Sequence, residues 1–240
     1  MIVQACLNGS RPDDYHPRLP KTPHAIAMDG VACISAGASE IHVHPRGADG
    51  RESLLAVDET VAALRRSCPG SLIGVSTGAW IEGDETRTNN RISTWKNLPD
   101  YASVNLSEPD APAVMALLNR MGVGVEAGLA TVSDAERLIA LPECRRAFRI
   151  LIEIEEQDIT TADLIADEIV KTLARADVRR PMLLHGFDAT IWHFVTRARQ
   201  CRWSTRIGLE DGRELRNGQK AAGNAELVAA AVEIFRMSAR

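Results

Sequence analysis

No stretch of the chain approaches the roughly 18 uninterrupted apolar residues of a membrane span, so none reads as a transmembrane helix. Aromatic residues are scarce, with four Trp, four Phe and two Tyr, and no basic run accompanies the formal net charge of −4. Nucleic-acid binding usually needs a basic stripe or stacking aromatics, so that class is set aside. The five cysteines, at positions 6, 33, 68, 144 and 201, are an odd number, scattered, with no C-x-x-C. Neither a secreted disulfide framework nor a cysteine zinc ribbon fits them. The start, Met1-Ile-Val-Gln-Ala-Cys-Leu7, has no charged n-region and too short an apolar run for a signal peptide. A cytoplasmic protein is the expectation.

What is present is ordinary for a folded domain: 45% hydrophobic and 25% charged residues over 240 positions. Barrels of parallel strands commonly run to about 250 residues, so one domain over 1–240 is expected. A chain of this length buries a core without staples, which makes any metal site functional rather than structural.

Short β-branched runs alternate with longer stretches of helical period. Strands are expected at 2–7, 40–44, 72–76, 102–106, 123–126, 148–153, 182–185 and 205–210. Helices are expected at 53–66, 110–120, 133–141, 161–174, 189–201 and 219–235, and the polar stretch 82–95 reads as a long loop. Thr22-Pro23 looks like an N-cap followed by proline at the first helical position. Ser133-Asp-Ala-Glu136 fits a capping box, and Gly122 a helix C-cap. Eight such units predict a parallel sheet. With no G-x-G-x-x-G after the first strand and no G-K-[ST] loop, a closed (β/α)8 TIM barrel is favoured over an open doubly wound sheet.

Two histidines stand in Ile41-His-Val-His-Pro45. On a strand, residues two apart face one side with Cα atoms about 6.6 Å apart, which lets both imidazoles reach one metal. Pro45 ends the strand there, at the face where barrel enzymes keep their sites. The competing reading, two satisfied core histidines, requires a partner for each buried ring. At the last strand, Arg206-Ile-Gly-Leu-Glu-Asp211 places Arg206, Gly208 and Glu210 on one face by the same period. Glu210 is then either Arg206's structural ion partner or a third metal ligand, because barrel closure sets the eighth strand beside the first. Three ligands with an open position describe a catalytic site. Other strand ends are polar as well: Asn8, Ser76-Thr77-Gly78, Asn105 with Glu108, Glu126, Glu153 and His185. Together they outline a pocket.

In these motifs the chain resembles the β-keto acid cleavage enzyme family. The likeness runs through Ala5-Cys-Leu-Asn-Gly9, Ala36-Gly-Ala38, the histidine pair, Gly74-Val-Ser-Thr-Gly78, Ala102-Ser-Val-Asn105, Gly124-Val-Glu126 and Arg206–Asp211. The resemblance implies a zinc-dependent barrel enzyme that condenses a β-keto acid with acetyl-CoA, giving acetoacetate and a new CoA thioester. His42, His44 and Glu210 would bind the zinc, with Mn2+ or Fe2+ as alternatives for a two-His, one-carboxylate set. Asp211, steered by Arg206, would be the base, with Glu126 matching an acidic position on the fifth strand. Ser76 and the neighbouring Thr77 and Gly78 would hold the carboxylate, with Asn105, Glu108 and Arg46 lining the substrate. A homo-oligomer is also implied. The chain departs from the pattern at Gly47, where an aspartate is expected, and at Arg11, where some members carry an acid. It is also shorter than many relatives.

The residues make chemical sense without that likeness. A divalent ion held by two neutral imidazoles and one carboxylate stays positive and polarises a ketone oxygen while a carboxylate removes the adjacent proton. A metal-dependent aldolase or hydrolase on the same barrel is the runner-up. Amidohydrolase-type hydrolases, however, place H-x-H on the first strand and add histidines on the fifth and sixth, where this chain has Glu126 and Glu153. A barrel that binds a small acid without catalysis is the third possibility.

Overall fold

The computed structural model describes residues 1–236; the last four positions of the expected 1–240 unit lie outside the described residues. Eight strands form one sheet: β1 (Val3–Cys6), β2 (Glu40–Val43), β3 (Leu72–Ser76), β4 (Tyr101–Asn105), β5 (Gly124–Leu129), β6 (Arg149–Ile154), β7 (Met182–Gly186) and β8 (Thr205–Ile207). Every pairing is parallel, from β1 through β7 in sequence order, with β8 beside β1. The ring closes where Leu183 bridges Ser204, whose N–H donates to Met182 O at 3.0 Å. The expected (β/α)8 barrel is the fold.

Helices cover the outside: α1 (Pro23–Ser35), α2 (Val57–Ser67), α3 (Ala79–Glu82), α4 (Glu85–Ser93), α5 (Ala111–Met121), α6 (Val132–Ala140), α7 (Ile159–Arg175), α8 (Ile191–Cys201) and α9 (Asn224–Arg236). Alternate strand residues such as Ile41, Val43, Ile73, Val75, Ala102 and Val104 join the buried apolar cluster shared with these helices. The intervening residues, among them His42, Gly74 and Ser103, therefore face the barrel interior. No helix among the described residues is long and apolar enough to cross a membrane.

Helix starts follow local chemistry. Thr22 caps α1 by accepting from Ala25 N at 3.2 Å, and Gly122 ends α5 with φ +78°, both as expected. The capping box of α6 is formed by Thr131 and Asp134 instead of Ser133 and Glu136. Thr131 is the residue whose backbone is still extended, so its hydroxyl is free to accept from Asp134 N. The stretch 82–95 is also corrected, since it holds the end of α3 and all of α4. Asp84 caps α4 through Arg87 N at 2.7 Å, but α4 buries only Thr88 and Ile92, too few apolar positions to show a period. The last helix starts at Asn224, later than 219, because the preceding chain folds back in an antiparallel bridge between Glu214 and Lys220.

The last strand departs most from expectation. It stops at Ile207, and 208–211 turn over, with Asp211 N donating to Gly208 O at 2.9 Å. A Cβ on Gly208 would overlap the Cys6 carbonyl, so only glycine lets the turn lie against β1. Asn224 locks the arrangement: its Oδ1 accepts Leu209 N at 2.6 Å and its Nδ2 donates to Leu7 O at 2.8 Å.

Candidate metal centre

His42 lies on β2 and His44 just beyond it, where Pro45 has ended the strand. Asn8, after β1, clamps the His44 backbone on both sides: its Oδ1 accepts His44 N and its Nδ2 donates to His44 O, each at 2.9 Å. Glu210 arrives from the turn after β8 and so faces the imidazoles by that turn, not by strand alternation. Its Oε1 lies 4.0 Å from His42 Nε2 and 3.4 Å from His44 Nε2. One ligand atom from each of the three lies within 4.8 Å of the others.

All three side chains are nearly inaccessible, at 1%, 5% and 9% exposure for His42, His44 and Glu210. Among the described residues, neither ring nitrogen of His42 nor Glu210 Oε2 has a hydrogen-bond partner. A buried polar atom without a partner costs about 1–3 kcal/mol, so a satisfied core histidine does not describe His42. Burial drives the His42 imidazole down to about 3, which leaves it neutral with a lone pair to donate. Burial also works against a charged His44, but Glu210 and then Glu52 outweigh it and lift the imidazole to about 9. The Glu210 carboxyl is opposed by burial yet held well below the usual range by Arg206, His44 and His42. A neutral His42, an ionised Glu210 and a His44 whose Nε2 proton a cation would displace form a donor set that suits a divalent ion.

Arg206, on β8, pairs with Glu210 and holds Asp211 Oδ1 through Nε at 3.1 Å and Nη2 at 3.0 Å. The expected ion pair is therefore real, and Glu210 faces the histidines as well. Asp211 is fully buried, and its Oδ2 makes no hydrogen bond. His185 Nδ1 lies 3.3 Å from Asp211 Oδ1, while its Nε2 lies 3.8 Å from Glu153 Oε2.

A cavity of about 530 Å³ opens above these groups, walled by His42, His44, Glu210 and Arg206 on one side and Glu153, Glu155 and Gln157 on another. Ser76 and Asn105 line it. Thr77 does not; it faces away and donates its hydroxyl to Ser103 O at 2.7 Å. Gly78 precedes α3, where a Cβ would strike the Trp80 ring. Glu108 sits behind Asn105 and accepts its Nδ2 at 3.1 Å. Arg46 is committed to the loops, donating to Gly9 O, Arg11 O and Gly50 O at 3.0, 2.8 and 3.1 Å. It thus supports the wall instead of meeting the cavity.

Glu126 is the clearest displacement. It is fully buried and paired with Arg149, which also pairs with Glu40, and Gln4 Nε2 donates to both carboxylates at 3.3 and 2.9 Å. Its neighbours are thus the ion cluster inside the barrel, not His42, His44 and Glu210, because the register sets Glu126 beside Arg149 and Ser103. Replacing Arg149 with methionine would leave two carboxylates buried without a cation. A loss of about 3–5 kcal/mol in denaturant unfolding is expected, with metal per folded chain unchanged. A loss under about 1 kcal/mol would show that the cluster is not a structural ion network.

Sequence reading passed over Glu52 and Trp80. Glu52 Oε2 lies 2.7 Å from His44 Nδ1, and Trp80 stacks on His44 with ring centroids 6.5 Å apart. A signal for Glu52 was available in Asp49-Gly50, a tight-turn pair that returns the chain antiparallel so that Arg46 bridges Glu52.

A family model described as beta-keto acid cleavage enzyme matches residues 1–140 and 154–240, nearly the whole chain, with His42, His44 and Glu210 inside the match. The chain belongs to that family. Among characterised members it is 32% identical over 84 residues to the 3-keto-5-aminohexanoate cleavage enzyme of Acetoanaerobium sticklandii, and 31% identical over 84 residues to that of Fusobacterium nucleatum. Each match covers 34% of this chain and 31% of the relative. Among solved structures, ObcA in a ternary complex with a C4-CoA adduct and oxalate superposes with a TM-score of 0.72 at 19% identity, over 90% of this chain and 63% of ObcA. The 3-dehydroquinate dehydratase of Geobacillus kaustophilus follows at 0.64 and 10% identity, covering 98% of this chain and 89% of that one. At such identities the likeness is one of fold.

Proposed function

We propose that this family member is a divalent-metal-dependent enzyme that condenses a β-keto acid with acetyl-CoA, releasing acetoacetate and a new acyl-CoA. The observation that carries the proposal is the convergence of His42, His44 and Glu210 in one cavity that Arg206 also lines, with Asp211 held by Arg206 in the layer beneath. The CoA partner is supported by the family, by the related 3-keto-5-aminohexanoate cleavage enzymes and by the C4-CoA adduct bound to ObcA. Zinc is the preferred ion, though the same donor set accepts Mn2+ or Fe2+.

When bound, the ion supplies Lewis-acid polarisation of the substrate's ketone oxygen. The chain's own groups do the rest. Ser76 Oγ, which already accepts Gly78 N at 3.3 Å, and the nearby backbone N–H groups hold the substrate carboxylate. Arg206 fixes Oδ1 of Asp211 and leaves Oδ2 to take the proton from the carbon between the ketone and the carboxylate. Asp211 is fully buried beneath the cavity, so this role requires Oδ2 to become accessible when substrate binds. The resulting enolate attacks the acetyl thioester and expels CoA thiolate. The thiolate then attacks the original ketone carbonyl, the carbon–carbon bond breaks, and Asp211 returns its proton to the departing acetoacetate carbon. All atoms are accounted for, and no oxidant or reductant is needed.

A panel of β-keto acids with acetyl-CoA, run with and without a chelator, is the test. Acetoacetate formation that the chelator abolishes is expected from at least one panel member. No product across a broad panel, from protein that binds metal, would overturn the reading in favour of another metal enzyme. An amidohydrolase-type alternative lacks its further histidines, since Glu126 is tied to Arg149 and the sixth strand carries Glu153.

A further inference from the structure

His44 differs from His42 in having a partner for its second nitrogen. Glu52, only 11% exposed, sets Oε2 at 2.7 Å from His44 Nδ1, while Nε2 on the far side of the ring points to Glu210 at 3.4 Å. Glu52 is in turn held in place. Trp80 Nε1 donates to both of its carboxylate oxygens at 3.4 Å, and the Trp80 ring covers His44 nearly parallel, at 21°. The hairpin that delivers Glu52 is closed by Gly47 N to Arg51 O at 2.8 Å and anchored by the Arg46 guanidinium. Nothing comparable supports His42 among the described residues, where its two nitrogens make no hydrogen bond.

We propose that Glu52 is the positioning residue of the metal centre: by accepting Nδ1–H it fixes the His44 tautomer and ring plane so that Nε2 is aimed at the space it shares with His42 and Glu210. This inference rests on the metal-binding reading above and adds a residue to it. An imidazole with an unheld Nδ1 carries its proton on either nitrogen and rotates about its side-chain bonds. Held by a carboxylate, it presents one nitrogen in one direction, and the carboxylate also raises its basicity as a ligand. Trp80 acts through Glu52 and by covering the open face of the ring.

The test is metal affinity, measured by competition with a chromogenic chelator on Glu52→Ala and Glu52→Gln alongside wild type. The cobalt(II) visible spectrum is recorded as a second readout, and thermal melting of the metal-free proteins monitors the fold. Glu52→Ala is expected to bind zinc about 10–100-fold more weakly, with an altered cobalt spectrum. Glu52→Gln keeps an acceptor oxygen at the same reach and is expected to recover much of that affinity. Affinity within twofold of wild type for Glu52→Ala, or an unchanged cobalt spectrum, would overturn the proposal. So would a Glu52→Gln variant that folds but binds no better than Glu52→Ala, since charge alone would then account for the loss. If wild type itself takes up no metal, the reading of the whole centre fails first, and that outcome is distinct from the others.

Discussion

Replacing His42 with alanine is expected to reduce zinc affinity by several hundredfold while leaving the barrel folded. A zinc site worth about 10–16 kcal/mol over four ligands assigns roughly 3–4 kcal/mol to each, a factor of about 10²–10³ in affinity. The substitution breaks no hydrogen bond, because neither nitrogen of His42 makes one. Its structural cost is limited to the space the ring filled in the barrel interior. A core histidine would behave in the opposite way: truncation would cost stability through lost partners, and metal content would not change. Metal analysis of the purified variant, set beside its melting temperature, separates the two. A variant that keeps about one zinc per chain at wild-type affinity would remove His42 from the ligand set. His44→Ala is expected to lose the metal too, with a larger effect on folding, since it also leaves the Glu52 carboxylate buried without its partner.

Replacing Asp211 with asparagine is expected to lower turnover by about 10²–10⁴-fold, the usual range for losing a positioned base. Metal content should stay at the wild-type level, because Asp211 is not one of the three converging ligands. The change is nearly isosteric, and an amide oxygen can still accept from Arg206 where Oδ1 accepts now. The site's shape is thus kept while the proton acceptor is lost. Comparing kcat and kcat/KM on one substrate decides the matter. A fall in both with little change in KM places Asp211 in the transition state, whereas undiminished turnover would mean that another group takes the proton. His185 and Glu153 stand next in line, within 3.3 Å of Asp211 and 3.8 Å of His185 respectively.

The residues that the sequence made legible were those whose neighbours in the chain explain them. His42 and His44 needed only the strand period and the proline after them. Barrel closure could be counted from eight alternating units, and Arg206 and Asp211 stood out as charges at the end of the last strand. Cap positions read well where one residue decides, as at Thr22 and Gly122. They read less well where two hydroxyls compete, as Thr131 and Ser133 do before α6.

Other residues are placed by distant backbone, which local pattern does not show. Thr77, Glu108 and Arg46 have the chemistry of substrate contacts, yet each spends its polar atoms on Ser103, Asn105 or the loop carbonyls. Glu126 sits at a strand position that sequence cannot assign to a depth in the barrel. The register beside Arg149 makes it part of an interior ion cluster. Glu52 had only the Asp49-Gly50 turn as a signal, because its placement beside His44 depends on where that hairpin returns.

The amino-acid sequence determined by itself the alternation of strands and helices, the histidine pair facing one way and the polar character of the strand ends. These follow from local geometry, which the chain carries within a few residues of each position. Tertiary structure alone decided that Glu210 meets those histidines, that Glu52 lies against one of them and that Glu126 pairs with Arg149. Each of these outcomes depends on strand register and turn path across many tens of residues. There a shift of one position turns a side chain from the interior to the outside, and no local preference is strong enough to specify it.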